Sequence, residues 1–224
     1  MPTPTPSTAP LAPSPENITA VVLAGGRARR MRGRDKGLIP LAGRPLVAHA
    51  LDALRPQVGT LLINANRHQD EYARLGVPVV ADAYPGYAGP LAGIAAALRR
   101  IETDWAIAVP CDAPRIAPDL VARLVNASAG GRHRACVART ADGLQPVWCL
   151  LHRGLAESLE AFLAGGGRKV AEWLARVDAA AADFTDADSF LNLNTESELR
   201  SFGSRGSFGN RGQHDRGPRR SSAQ

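Results

Sequence analysis

The chain has 224 residues, 45% of them apolar, enough to bury one large core or a domain with two lobes. No apolar run nears the about 20 residues that cross a bilayer. The proline-rich N-terminus lacks both the positive charge and the apolar stretch of a secretory signal, so a cytoplasmic protein without membrane contact is expected.

The net charge of +6 is unevenly spread. Residues 201–224 hold five arginines against one aspartate, and Glu16 is the sole charge before residue 17, which leaves the body an ordinary +3. Nucleic acid is therefore not an expected partner of the folded part. Cys111, Cys136 and Cys149 are far apart and form no CxxC pair, and the five histidines form no HxxxH or HExxH spacing. Neither a disulfide framework nor a zinc site is expected, and the thiols read as buried and reduced.

In chain order, residues 1–16 are rich in Pro, Ser and Thr without apolar periodicity and read as a disordered leader. Residues 19–23 form a short apolar run ending in Ala24-Gly25-Gly26, the pattern of a buried strand entering a tight turn. Pro45 is expected to open a helix over 45–54, with Leu46, Val47, Ala50, Leu51 and Leu54 on one face. Strands are predicted at 60–64 and 78–81, around a short polar helix at 69–75. An Ala/Leu-rich helix over 90–100, a strand over 105–110 and a helix over 118–125 follow, the last with Asp119 in its first turn. Strands alternating with helices predict an α/β fold, a mostly parallel sheet covered by helices on both faces in a three-layer α/β/α, Rossmann-like arrangement. Such sheets bind ligands at the carboxyl ends of their strands.

Later segments change style. Strands at 135–139 and 146–151 bracket a turn at Asp142-Gly143, helices are predicted at 155–163 and 170–176, then a strand at 182–184 and a helix from Thr195. The domain is placed at 17–200, with a first half over about 17–130 and a second over about 131–200. Residues 201–224 read as a flexible Arg/Gly/Ser tail with Phe202 and Phe208 isolated in it.

The chemistry gathers after the first strand. In Leu23-Ala24-Gly25-Gly26-Arg27-Ala28-Arg29-Arg30-Met31, followed by Arg32-Gly33-Arg34-Asp35-Lys36, glycines let backbone N–H groups approach an anion and the basic residues surround a polyphosphate with charge. Neither Gly-Lys-Ser/Thr nor GxGxxG is present there, which excludes the two common phosphate loops. Only two of the 27 basic residues are lysines, Lys36 and Lys169, both in glycine-containing stretches. In an arginine-using chain, a lysine marks a place for a compact charge on a phosphate. Asp112 follows the strand over 105–110 and puts a carboxylate at the sheet rim, suited to Mg2+ with phosphate oxygens and water. Asn64 and Asp82 lie at or just after strand ends on the same rim. Gly89-Pro90 would present free helix N–H groups to an anion, and Gly165-Gly166-Gly167-Arg168-Lys169 is a flexible basic loop. Asn192 and Asn194 either serve the site or shape the turn before a helix capped by Thr195 with Glu198.

The run LAGGRARRMRGRDKGL, with NANRH from Asn64, GPLAG from Gly89, PCDAP from Pro110, QPVW from Gln145, GGRKV from Gly166 and FLNLNTESEL from Phe190, resembles the bacterial molybdenum cofactor guanylyltransferases. These belong to the nucleotidyltransferase superfamily that includes the sugar-phosphate nucleotidyltransferases. The likeness spans about residues 18–200 and implies a nucleotidyltransferase fold and transfer of GMP from Mg-GTP to Mo-molybdopterin. It implies GTP contacts at Leu23, Ala24, Gly25, Gly26, Lys36, Asn64, Asp82 and Asp112, with Asp112 as the Mg2+ ligand and Lys36 and Arg30 acting on the phosphates. It links Gly89, Gly93, Lys169, Asn192 and Asn194 to the pterin substrate or the reaction centre. Cofactor-assembly proteins and recipient molybdoenzymes are the partners it suggests.

One departure stands out: relatives read Met-Gly-Gly where this chain has Met31-Arg32-Gly33. If position 32 takes a positive φ, arginine costs about 1 kcal/mol there. Two other readings fit parts of the sequence. One is a related nucleotidyltransferase using CTP or another acceptor, although such cytidylyl relatives commonly carry LAAG rather than LAGG. The other is a nucleotide- or RNA-binding protein acting through its Arg/Gly tail, which deletion of the residues after Arg200 would separate from an enzyme.

Overall fold

A computed structural model describes residues 11–25, 35–83 and 89–205 of the chain. The first strand, β1 (Ile18–Leu23), is apolar on both faces because it lies at the centre of a sheet with helices on either side. Ile18, Ala20 and Val22 enter one core and Val21 the other, the two-residue period of an extended chain. A hairpin of β2 (Pro40–Leu41) and β3 (Arg44–Pro45) follows, turned by Ala42 and Gly43, both at positive φ. It leads into α1 (Leu46–Leu54). Sequence periodicity places Pro45 inside that helix, whereas Pro45 closes β3 and stands just before the first helical residue.

The next elements are β4 (Thr60–Asn64), α2 (Gln69–Ala73), β5 (Val79–Val80), α3 (Pro90–Arg100) and β6 (Trp105–Pro110). Then come α4 (Leu120–Ala127), β7 (Ala135–Thr140), β8 (Gly143–His152), α5 (Ala156–Ala164), α6 (Val170–Arg176), β9 (Ala180–Asp183) and α7 (Glu196–Arg205). Asp119 sits at the cap of α4 rather than in its first turn, and its carboxylate lies 3.6 Å from the Arg123 guanidinium.

Among the described residues the main sheet has seven strands in the order β5-β4-β1-β6-β8-β7-β9. Neighbouring strands are parallel except where β8 pairs with β6 and with β7, so the sheet is mostly parallel as expected. Helices α1, α2 and α4 pack on one face through Val47, Leu51, Tyr72, Leu120 and Leu124. Helices α3, α5 and α6 cover the other through Leu91, Ile94, Leu159, Phe162 and Trp173. The result is the three-layer α/β/α arrangement.

A third, smaller apolar cluster decides where the site can form. Ile39, Leu41 and Leu46 of the hairpin region pack with Leu193 and Leu199 of the C-terminal segment, and Phe202 joins them. This contact ties Leu193 and α7 to the β2–β3 hairpin and the start of α1. Described elements also extend beyond the expected limits of 17–200. Helix α7 runs past Arg200 to Arg205, and Phe202 is engaged both by this cluster and by the Arg115 guanidinium, 5.0 Å above its ring. At the other end, the leader assigned to 1–16 is structured from residue 11. The Trp105 indole N–H donates to the Leu11 carbonyl at 2.8 Å, and Gly59 N–H donates to the Pro15 carbonyl at 2.6 Å.

Candidate active site

The carboxyl ends of β4, β1 and β6 stand side by side. Strand register pairs Leu23 with Asn64 on one flank and with Pro110 on the other. Hydrogen bonding continues past the strands: Ala24 N–H donates to Asn64 O at 2.8 Å and Cys111 N–H to Leu23 O at 3.1 Å. The Ala24-Gly25 turn and Asp112 are therefore held on one rim by the backbone itself. Of the loop that follows, Gly26, Arg30 and Arg32 lie outside the described residues, and the expectations made for them stay with the sequence.

One side of the rim is built around Asp82. Its carboxylate accepts from Asn64 Nδ2 at 2.9 Å on one oxygen and from Asn66 Nδ2 at 2.8 Å on the other. Its backbone N–H donates to Asn66 Oδ1 at 2.8 Å. Asn66 also reaches the Gly25 carbonyl at 3.4 Å, so the two asparagines couple the Asp82 turn to the glycine turn. The sequence reading singles out Asn64 and passes over Asn66, although the second asparagine of NAN was the available signal. Asn64 is 2% exposed, and its amide is spent on Asp82 and on Val80 O, so its described contacts serve the shape of the rim.

The two glycines beside Asn64 have a steric reason. A Cβ on Gly93 would lie 2.2 Å from Asn64 Oδ1, and one on Gly25 would lie 3.1 Å from it. Gly93 is in the first turn of α3, so its lack of a side chain lets that helix start against the rim. Gly89 caps the same helix at φ 78° and ψ −165°, a conformation open to glycine. Both glycines assigned to the pterin side by resemblance thus stand on the helix that abuts Asn64.

The other side of the rim is a charged cluster. Lys36 follows Asp35 at the start of a tight 3₁₀ turn, and its Nζ donates to Asp112 Oδ2 and, at 2.7 Å, to Asn194 Oδ1. Asp112 is 8% exposed, and its backbone carbonyl accepts the Leu193 N–H at 3.0 Å. A residue from the rim, a residue from the loop after β1 and a residue from the C-terminal segment meet at one ammonium. Asn194 is held in place by the turn the sequence predicts. Glu198 Oε2 accepts from Asn194 N and from Thr195 N, and Glu198 N donates to Thr195 Oγ1 at 3.2 Å, a reciprocal cap on α7. The two readings of Asn194, site residue and turn former, are compatible. Asn192 is exposed, and its carbonyl accepts from Asn194 Nδ2 at 3.2 Å.

Lys169 is elsewhere. Its side chain is 79% exposed and pairs with Glu172 at 2.9 Å, which raises its pKa through that hydrogen bond. No described contact joins it to the Lys36 cluster.

Nucleophilic chemistry finds no support among the cysteines. Burial pushes the Cys111 thiol well above its ordinary range, with the charges of Asp112 and Asp35 adding to it. Burial likewise pushes Cys136 and Cys149 up to about 12. All three are protonated at neutral pH and serve as small apolar residues. The sequence also passed over two residues beside Lys36: Asp35 is buried, and its carboxylate accepts from the Tyr72 hydroxyl of α2 at 2.6 Å.

Residues 20–179 match the model of the MobA-like NTP transferase domain. The molybdenum cofactor guanylyltransferase of Methylibium petroleiphilum is 49% identical over 193 residues, covering 83% of this chain and 95% of that one. That of Vibrio cholerae is 48% identical over 190 residues, covering 84% and 93%. The crystal structure of molybdopterin-guanine dinucleotide biosynthesis protein A from Archaeoglobus fulgidus superimposes with a TM-score of 0.68 at 22% identity, over 84% of this chain and 97% of that one. The fold agrees with that structure, the identity with the two bacterial enzymes extends over most of both chains, and the chain belongs to the molybdenum cofactor guanylyltransferases, a family of nucleotidyltransferases.

Proposed function

We propose that this rim binds GTP and transfers its GMP to the terminal phosphate of Mo-molybdopterin, releasing pyrophosphate. The observation that carries the reading is the meeting of Lys36, Asp112 and Asn194, which puts a cation between the sheet rim and the C-terminal segment. The acceptor is a phosphate monoester with a second pKa of about 6, largely dianionic at neutral pH. One of its oxygens attacks the α-phosphorus of GTP as the bond to the pyrophosphate oxygen breaks, and the pyrophosphate leaves with the electron pair. No base is needed, in keeping with the Cys111 thiol held protonated beside the site. The protein's task is to position two anions and offset their charge. Lys36 supplies a compact positive charge.

The donor set suits a divalent cation. Among the described residues no group of three or more His, Cys, Asp or Glu could hold one alone. Asp112 offers one carboxylate whose second oxygen has no described partner, and Mg2+ is content with one or two carboxylates completed by phosphate oxygens and water. When bound, Mg2+ would neutralise phosphate charge at Asp112. Asp82, fixed by two amides, offers its remaining acceptor capacity to the nucleoside. Lys169, on its exposed loop, and Asn192 belong to the acceptor side in this reading.

The test is Asp112→Asn, which keeps the volume and removes the charge. GMP transfer should fall by at least about a hundredfold, as when a group that stabilises developing charge is lost. The melting temperature should stay within a few degrees of wild type. Near-normal turnover in a folded variant would take Asp112 out of the site.

A further inference from the structure

Asp35 and Tyr72 touch nothing assigned to substrate, yet they grip both sides of Lys36. Asp35 directly precedes the lysine, and its buried carboxylate accepts from Tyr72 Oη at 2.6 Å. Gly37 directly follows it and lies against the same ring: a Cβ there would be 2.5 Å from Tyr72 Oη and 3.2 Å from the ring carbons. The Asp35 carbonyl accepts the Leu38 N–H at 3.1 Å and the Lys36 carbonyl accepts the Ile39 N–H at 3.2 Å, closing the tight turn. Tyr72 itself is fully buried on α2 in the core beneath the rim. Burial above all, then the neighbouring Cys111 and Asp35, drives its hydroxyl far above the ordinary phenol range, so it stays a neutral donor.

The chain at 35–37 is therefore pinned to the core on both sides of Lys36, while the lysine side chain points away to Asp112 and Asn194. A lysine has a long, freely rotating stem, and directing its ammonium costs rotamer entropy that a fixed backbone reduces. We propose that Tyr72 and Asp35 form a buried clamp whose task is to aim Lys36 at the reacting phosphates, which makes Tyr72 a positioning residue for the transfer. The proposal rests on the reading of Lys36 as the phosphate cation.

The clamp predicts dependence rather than simple loss. GMP transfer is measured in four proteins: wild type, Tyr72→Phe, Lys36→Ala and the double variant, each with its melting temperature. Tyr72→Phe keeps the ring against Gly37 and removes only the hydroxyl, and it should lower kcat/KM for GTP by about tenfold, the worth of a hydrogen bond to a charged group. In the Lys36→Ala background the same change should cost less than about twofold, because nothing is left to aim. Asp35→Ala breaks the clamp from the loop side, should show the same dependence on Lys36, and decides the matter if Tyr72→Phe does not fold. Equal losses with and without Lys36, or full activity in both single clamp variants, would overturn the clamp while leaving the lysine's role intact. Full activity in Lys36→Ala would instead overturn the reading of the lysine, and the clamp with it.

Discussion

Gly93 shows how much of this rim depends on single atoms. A methyl group there would meet Asn64 Oδ1 at 2.2 Å and its Cγ at 2.7 Å, with the asparagine already 2% exposed and bonded to Asp82. Something must move, and the Asn64 amide is the mobile party. Gly93→Ala is therefore expected to destabilise the fold by about 1–3 kcal/mol, the usual cost of overpacking. It should also weaken GTP binding, because Asp82 loses one of its two amide donors. Denaturant unfolding and a GTP titration check the two parts. A variant with wild-type stability and affinity would mean that Asn64 has room the packing does not show. Residue-level reading reached Gly93 through resemblance to the family, and the structure supplies a steric cause beside Asn64. Asn66 and Tyr72 were missed because their work is to hold other residues. A hydrogen bond across 16 positions, from Asn66 to Asp82, leaves no mark in spacing or periodicity.

At the scale of elements, the apolar runs and their turns were legible because burial on both faces forces a continuous apolar strand. Strand β4, helix α3 and strand β6 occupy the ranges that pattern predicts. The β2–β3 hairpin was not legible: its strands are two residues each, and Ala42 takes a left-handed conformation that sequence rarely advertises. Helix α7 continues past the expected limit at residue 200 to Arg205, through Ser and Gly residues that favour a helix poorly, with tertiary contact at Phe202 securing it. Ending the chain after Arg200 removes Phe202 from the cluster with Ile39, Leu41 and Leu199, which anchors Asn194 beside Lys36. Truncation after Arg205 should leave GMP transfer within about twofold of wild type, the small effect expected of changes outside a packed element. Truncation after Arg200 should lower it several-fold and lower the melting temperature, because α7 loses its Phe202 contact and keeps only Leu199 in the cluster. Equal activity of the two truncations would deny the C-terminal segment its part in placing Asn194.

For the whole molecule, the sheet order explains why the site is where it is. Strands β4, β1 and β6 are adjacent and parallel, so their carboxyl ends deliver Asn64, the Ala24-Gly25 turn and Asp112 to one edge. The C-terminal segment then crosses to that edge and closes it with Asn194. No helix among the described residues is long and apolar enough to cross a membrane. The base is the choice on which the proposed function turns, since a rim that holds phosphates and a cation would serve any nucleoside triphosphate. The most direct measurement is a thermal-shift panel of the full chain with GTP, CTP, ATP or UTP, each with Mg2+. A ligand at about 100 times its Kd adds about 2.7 kcal/mol to the folded state. GTP is expected to raise the melting temperature well beyond the other three. A larger shift with CTP than with GTP would contradict it.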